Sequence, residues 1–539
     1  MIGPDGSCGE GLPVDATMGL QLLLVAAGAI GVAAVARRKG WPAPLLLVAA
    51  GLLLSPLVPP VPLEPELILY VFLPPLLYSA AFESSYLRLR DVKRTVGLLS
   101  VGLVLFTAAA VGTVVHLMLP DLPLALAFAL GAIVAPPDAV AAVAVGRRLG
   151  LPRRALTVLI GESLFNDATA LTLYRVAIGA ALGGAVSLWE GLGQFLLAAV
   201  GGVMIGLALA FAFAWLFRYT RDSLVENTLM LLIPFAAYLA AESVHASGVI
   251  AVVIIGLYLG NRMHLQGFGT RLVSTAVWRV TDFLLEAVVF ALIGLQFVTV
   301  TEGIIGYGAW EVAGYAAAVL VVTILSRFVW VFTVTSLVRL LSRAESRPPP
   351  GQRVVLSWAG MRGVVSLAAA FAIPPDVPAR DRALLLFLTF TTVIGTLLIQ
   401  GTTFPALIRR LGVSSERERY EDRLAEAAAQ QAALDAGVAE LERLIAQEGE
   451  PDEIQAQVIG NLRDKSWRRS LSAWERLGGG TSHGGAETPS ALYRRLRRQM
   501  LQAERQVFVR LRDERRLDDE VLHEVMAQLD FEEAILERD

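Results

Sequence analysis

The chain has 539 residues, of which 55% are hydrophobic and 18% are charged, and its formal net charge at pH 7 is −3. A soluble protein of this length would be less apolar, and a nearly neutral chain does not attract nucleic acid electrostatically. The single cysteine, Cys8, excludes an intrachain disulfide, and the five histidines lack metal-ligand spacing. The composition therefore predicts a polytopic membrane protein with no cofactor and no nucleic-acid partner.

The apolar residues occur in blocks of about 20, the length that crosses a hydrocarbon core of roughly 30 Å. After an extracytoplasmic N-terminus at 1–16, they predict an all-α transmembrane domain over 17–411, with about thirteen helices. The predicted spans are 17–36, 42–57, 67–83, 95–118, 122–145, 155–181, 187–217, 224–242, 247–260, 281–299, 309–338, 352–373 and 383–408.

The distribution of basic residues predicts the orientation of these spans. Each loop after an odd-numbered span contains at least two lysines or arginines, whereas the loops after even-numbered spans contain only Arg380 and Arg382. The positive-inside rule places the loops that follow odd-numbered spans in the cytoplasm. We therefore expect a multi-pass protein of the cell membrane, with the N-terminus outside and the C-terminus in the cytoplasm.

Two prolines interrupt the fifth predicted span, within GAIVAPPDAVAAVAVGRR (131–148). Pro136 and Pro137 each remove a backbone donor, so the helix should unwind beside Asp138. A simple proline kink would explain the break but not the adjacent carboxylate. We therefore predict a broken helix whose exposed carbonyls and half-helix ends contribute to an ion site, as in many transporters.

The sixth predicted span carries polar residues in GESLFNDATALTLYRVA (161–177). Ser163 and Asp167 are four residues apart and share a helix face, which Asn166 borders. Their hydroxyl, amide and carboxylate oxygens are hard ligands that suit an alkali cation. Glu162 points to an adjacent face and needs a partner of its own. The alternative interpretation is a polar helix end at a cytoplasmic mouth.

Three further charges lie at membrane depth in later predicted spans: Glu286, Arg327 and Arg362. A guanidinium keeps its proton, so each arginine needs a buried anion. Glu162 is the natural partner of either arginine, and this bridge would be structural and leave Asp167 free. Glu286 is predicted either to act in the site directly or to lie near a water-filled mouth or an arginine.

The composition changes beyond residue 411, and residues 412–539 predict a cytoplasmic helical domain. Residues 416–447 and 491–516 have the pattern of charged amphipathic helices, and the glycine-rich stretch 478–490 predicts a linker. We interpret this domain as an assembly or regulatory appendage. The cluster RRLRR (494–498) is either a solvated helix face or a contact with anionic lipid headgroups.

The motifs of the membrane domain resemble those of the monovalent cation:proton antiporter-1 family, the sodium/proton exchangers of bacterial type. The resemblance covers most of residues 17–410 and rests chiefly on PPDAVAAVAV followed by GESLFNDATALTLY. Three weaker motifs follow in the expected order: SGVIAVVIIGLYLG (247–260), LLEAVVFALIGLQ (284–296) and WAGMRGVVSLAAAF (358–371).

The resemblance implies an inverted six-helix repeat, with spans 1–6 related to spans 8–13 and broken helices in the fifth and twelfth spans crossing at the midplane. It also implies a homodimer. By motif, it assigns the ion and proton site, with bound Na⁺ or K⁺, to Asp167, Asn166, Asp138 and Ser163. It assigns the structural ion pair to Glu162 with Arg362 or Arg327.

Two positions depart from the pattern of this family. Many members have Thr-Asp-Pro at the unwound segment, whereas this chain has Pro136-Pro137-Asp138 and lacks the threonine ligand. Many also have an acid in the third span, where this chain has Ser79 in LPPLLYSAAF (73–82). Both departures affect the coordination shell and leave the choice between Na⁺ and K⁺ open.

A carboxylate that binds either a cation or a proton, but not both, couples two opposite fluxes. The sequence therefore predicts an electroneutral Na⁺/H⁺ or K⁺/H⁺ antiporter that alternates access to Asp167, and not an enzyme. A cation channel is the first alternative. An intramembrane aspartyl protease would need Gly-x-Gly-Asp, whereas Asp167 follows Leu-Phe-Asn. A serine hydrolase would need Gly-x-Ser-x-Gly, whose last glycine is missing two residues after Ser163.

Overall fold

The computed structural model describes residues 16–58, 68–183, 188–220, 222–304, 308–341, 349–413, 416–448, 452–477 and 488–538. All regular secondary structure in these ranges is helical. The chain divides into two compact units, Met1–Ser414 and Ser415–Asp539. Residues 1–15 of the predicted N-terminal segment (1–16) and residues 478–487 of the predicted linker (478–490) lie outside the described residues. The predicted linker is too long at its end, because a helix begins at Pro489.

The first unit consists of long apolar helices, two of which are broken into halves. The helices up to the middle of this unit are α1 (Ala16–Lys39), α2 (Ala43–Leu54), α3 (Ile68–Phe82), α4 (Lys93–Met118), α5a (Leu124–Val134), α5b (Ala139–Leu149), α6 (Arg153–Ala181) and α7 (Leu188–Leu216). The others are α8 (Ser223–Glu242), α9 (Gly248–Asn261), α10 (Phe268–Leu295), α11 (Ala309–Leu341), α12a (Pro350–Trp358), α12b (Val364–Phe371) and α13 (Ala379–Leu411).

Each predicted span coincides with one of these helices or with a broken pair, which confirms the all-α membrane fold. In the described residues, eight helices are long and apolar enough to cross a membrane. The total number of crossings stays a prediction. Helix α10 begins at Phe268, well before the predicted 281, because its first turns are amphipathic. They bury Thr270, Ser274 and Trp278 at four-residue spacing, a pattern that hydropathy alone does not detect.

Both breaks occur where the local sequence disfavours a helix. Helix α5a ends at Val134, just before Pro136 and Pro137, and α5b restarts with the Asp138 side chain accepting a hydrogen bond from the Val140 amide at 2.9 Å. The two breaks meet, because the Asp138 amide donates to the Met361 carbonyl in the break of α12 at 2.7 Å. Each break leaves backbone amides and carbonyls without partners in their own helix, and this hydrogen bond pairs one such group from each break.

Helix packing in the first half of this unit recurs in the second half, seven helices later. The pairs α1–α2, α2–α10 and α4–α5a correspond to the pairs α8–α9, α9–α3 and α11–α12a. Glycines permit the close crossings: a Cβ on Gly51 of α2 would meet α10, and a Cβ on Gly260 of α9 would meet α3. This pattern supports a repeat with α7 between the halves, whose inversion in the membrane stays a prediction.

The second unit contains α14 (Glu416–Glu448), α15 (Glu453–Leu477), α16 (Pro489–Asp513) and α17 (Asp519–Arg538). Helices α14 and α15 pack together, as do α16 and α17, which share a small core of Leu501, Leu529 and Leu536. Arg497 bonds Glu532 and Glu504 at 2.7 Å, and these hydrogen bonds raise the pKa of its guanidinium. The RRLRR cluster therefore includes an arginine that stabilises the α16–α17 hairpin.

Candidate functional site

A cavity of about 300 Å³ lies among α3, α5, α6, α10 and α12b of the membrane unit. Five of the residues predicted from the sequence line it: Ser79, Asp138, Ser163, Asp167 and Glu286. The cavity reaches exposed Glu83 at the end of α3 and exposed Arg147 near the end of α5b. The Arg147 guanidinium lies 3.8 Å from the Glu83 carboxylate, so an ion pair between solvent-exposed groups marks the mouth.

Helix α6 divides its polar residues between two faces. Ser163 and Asp167, four residues apart, line the cavity, and the Asp167 carboxylate is 6% exposed. Asn166 does not line the cavity. Its amide nitrogen donates to the Pro137 carbonyl at 2.8 Å and so fixes α6 to the break in α5. Among the described residues, no hydrogen bond or ion pair engages the Asp167 side chain, which is therefore available to a ligand.

Asp138 lies where the two broken helices cross. Its Oδ1 accepts from the first turn of α5b, and its Oδ2 lies against Gly363, which directly precedes α12b. A Cβ at position 363 would collide with this carboxylate. The partial positive charge of a helix N-terminus stabilises an anion, so the Asp138 charge is partly balanced by the protein itself.

Glu162 forms a buried ion pair with Arg327 of α11. Both side chains are 1% exposed, and both carboxylate oxygens accept from the guanidinium, with 2.8 Å between Arg327 Nη2 and Glu162 Oε2. The Arg327 Nε also donates to the Leu356 carbonyl of α12a at 3.0 Å. This bidentate arrangement gives a desolvated charge pair the extra hydrogen bonds that it needs.

The structure does not form the alternative pair between Glu162 and Arg362. Arg362 is fully buried in the break of α12, its Nη1 donates to the Ala135 carbonyl, and its own amide donates to Thr396 Oγ1 at 3.0 Å. Ala135 ends the first half-helix of α5, so the guanidinium faces the negative end of that helix dipole. A helix terminus thus replaces the carboxylate expected from the sequence.

Besides Glu83 and Arg147 at the mouth, two polar residues of the cavity were not predicted from the sequence: Asp282 and Ser366. Asp282 precedes Glu286 by one helical turn on α10 and lies beside the Ser79 hydroxyl. Residues four apart share a helix face, so the spacing from Glu286 could have revealed Asp282 in the sequence. Ser366 lies in an apolar stretch of α12b, where the sequence offers no charge or helix break to distinguish it.

The cavity can therefore accept small cations. It holds the carboxylates of Asp138, Asp167, Asp282 and Glu286, while the buried Arg327 charge is used by Glu162. Among the described residues, no group of three or more His, Cys, Asp or Glu side chains is arranged to hold a metal ion. Broken helices crossing beside a buried carboxylate in an all-helical membrane unit define the class of ion-translocating membrane proteins.

Within that class the chain belongs to the sodium/hydrogen exchanger family, because the model of this transmembrane family matches residues 23–410. The family consists of transporters and not enzymes, which excludes the protease and hydrolase alternatives.

Named relatives agree with this assignment. The chain is 34% identical over 531 residues to an uncharacterized Na⁺/H⁺ exchanger of Mycobacterium tuberculosis, with 95% of both chains covered. It is 32% identical to the Na⁺/H⁺ antiporter NhaH of Halobacillus dabanensis, covering 73% of this chain and 98% of the relative. It is also 32% identical to the sodium, potassium, lithium and rubidium/H⁺ antiporter of Bacillus subtilis, covering 68% and 58%.

A solved structure shares the fold. The sodium proton antiporter MjNhaP1 of Methanocaldococcus jannaschii superposes with a TM-score of 0.58 at 22% identity, covering 74% of this chain and 98% of that chain. At this identity the likeness concerns the fold alone.

Proposed function

We propose that this protein is a secondary-active antiporter that exchanges Na⁺ for H⁺ across the cell membrane, with K⁺ as a further substrate. The family and the named relatives support the exchange of a monovalent cation for a proton. The observation that carries the proposal is Asp167: a buried carboxylate that lines the cavity and has no side-chain partner among the described residues.

In this proposal Asp167, Asp138 and Ser163 supply oxygens to the cation, and Asp167 also takes the proton. Asn166 positions Asp167 by fixing α6 to the unwound segment of α5. Glu286 and Ser79 line the same cavity and add polar groups to its wall. The Glu162–Arg327 pair belongs to the scaffold, because its charges satisfy each other away from the cavity.

A single carboxylate that holds either a cation or a proton gives an exchange of one for one, which is electroneutral. Alternating access then carries whichever ion is bound. The mouth near Glu83 and Arg147 lies on the side that the positive-inside rule assigns to the cytoplasm, so we assign this conformation as inward-facing. The functional protein is proposed to be a homodimer, as the resemblance implies.

Competition at one site makes a definite prediction for the pH dependence. Where the proton competes, the apparent KM for Na⁺ should rise about tenfold for each unit by which the pH falls, while the rate at saturating Na⁺ stays constant. The measurement is cation-driven proton flux in proteoliposomes, with Na⁺, K⁺ and Li⁺ compared across pH. A KM that is independent of pH, together with a maximal rate that falls, would place the two ions at separate sites.

A further inference from the structure

Ser366 is a buried hydroxyl without a hydrogen-bond partner. The side chain is 1% exposed, and its Oγ finds no partner among the described residues. Most serines in helices avoid this cost by donating to the carbonyl four residues earlier, as Ser357 does to Arg353 at 2.9 Å in α12a. A buried hydroxyl without a partner needs an explanation, and a water molecule or an ion that it binds is one.

The position of Ser366 indicates which ligand this is. Ser366 lines the same cavity as Asp138, Ser163 and Asp167. It follows Gly363 by three residues, at the start of α12b, and Gly363 contacts the Asp138 carboxylate. Residues three apart are neighbours on a helix surface. Ser366 therefore contributes to the cavity wall from the second broken helix, while Ser163 and Asp167 contribute from α6.

The oxygens available from the first broken helix are few. The Pro137 carbonyl already accepts from Asn166, and Asp138 Oδ1 accepts from the Val140 amide. Prolines at 136 and 137 provide no side-chain oxygen. An alkali cation that loses its water needs several hard oxygen ligands. Among the cavity-lining side chains of α5b, α6 and α12b and the residues next to them, this leaves Asp167, Asp138 Oδ2, Ser163 and Ser366 to bind it, while Ser79, Asp282 and Glu286 line the cavity from α3 and α10.

We propose that the Ser366 hydroxyl is a direct ligand of the transported cation and helps to set its selectivity, so that the second broken helix contributes to the site together with α5 and α6. This inference rests on the proposed exchange at Asp167. The hydroxyl oxygen offers its lone pairs to the cation. When the cation leaves, the same hydroxyl can donate a hydrogen bond into the cavity.

The test uses the full-length protein in proteoliposomes and measures KM and maximal rate for Na⁺ and Li⁺. Ser366→Ala should raise the KM for Na⁺ about three- to tenfold, the loss expected for one neutral polar partner, with little change in the maximal rate. The ratio of the two KM values should change as well. Ser366→Thr keeps the hydroxyl and should retain the wild-type KM.

Ser357→Ala is the matched control, because Ser357 is equally buried on the partner half-helix but satisfied by its own helix and absent from the cavity wall. It should leave both KM values unchanged. If Ser366→Ala does not fold, Ser366→Cys decides, because a sulfur of similar size binds alkali cations poorly. Wild-type KM values in the folded Ala or Cys variant would overturn the inference. Exchange that survives in Asp167→Asn would instead overturn the proposed function.

Discussion

Glu162 and Asp167 are five residues apart on α6, yet their carboxylates meet opposite surroundings. Glu162 accepts from two nitrogens of the Arg327 guanidinium, whereas Asp167 faces a cavity whose arginine, Arg147, lies beside Glu83 at the exposed mouth. The sequence distinguishes the two faces of α6 but not which arginine completes the pair, because Arg327 and Arg362 lie at similar depth in apolar helices. The structure resolves this, because Arg327 contacts Glu162 and Arg362 Nη1 instead donates to the Ala135 carbonyl at a helix end.

Removing one charge of the buried pair should destabilise the protein strongly. Glu162→Gln leaves Arg327 desolvated without an anion, and we expect a loss of about 3–5 kcal/mol in the free energy of unfolding. Arg327→Met should cost a similar amount. The double variant should cost less than the sum of the two, because neither charge is then left alone. Unfolding in detergent micelles measures all three.

The pair between Arg175 of α6 and Glu242 of α8 provides the control. Its nitrogen–oxygen distance is 2.9 Å, but the Arg175 side chain is 53% exposed. Water screens such a pair, so Glu242→Gln should cost less than about 1 kcal/mol. Equal losses for Glu162→Gln and Glu242→Gln would contradict the assignment of Glu162 to a buried scaffold.

At the scale of elements, the crossing of α5 and α12 positions the site. The prolines of α5 predict one break from the sequence, and the family resemblance implies the other in α12. What the sequence cannot supply is their contact: the Asp138 amide bonded to the Met361 carbonyl, and the Asp138 carboxylate against Gly363. These contacts join residues more than two hundred positions apart, so no local pattern encodes them.

Gly363→Ala tests this crossing. The added Cβ would overlap the Asp138 carboxylate and push it from its place, so exchange should fall by on the order of tenfold or more. Gly314→Ala in α11 is the control, because its Cβ would meet no atom within 4 Å. Proteoliposome flux and the amount of folded protein are compared for both. A normal exchange rate for Gly363→Ala would show that Asp138 does not need this position.

At the scale of the whole molecule, hydropathy located the membrane helices because a bilayer requires about twenty apolar residues for each crossing. Hydropathy underestimated the length of α10, because the first turns of this helix are amphipathic and pack against protein. Of the cavity carboxylates, the sequence predicted Asp138, Asp167 and Glu286, which stand out in apolar helices, but not Asp282. It missed Ser366, because a serine in an apolar helix carries no signal until the fold leaves its hydroxyl without a partner.

The central claim is that Asp167 carries both the cation and the proton. Asp167→Asn preserves the size and polarity of the side chain but removes the charge. Asp376→Asn, at an exposed aspartate outside the cavity wall, is the matched control. The measurement is Na⁺-driven proton flux in proteoliposomes that contain equal amounts of folded protein. We predict no flux for Asp167→Asn and wild-type flux for Asp376→Asn, and flux that persists in Asp167→Asn would contradict the account.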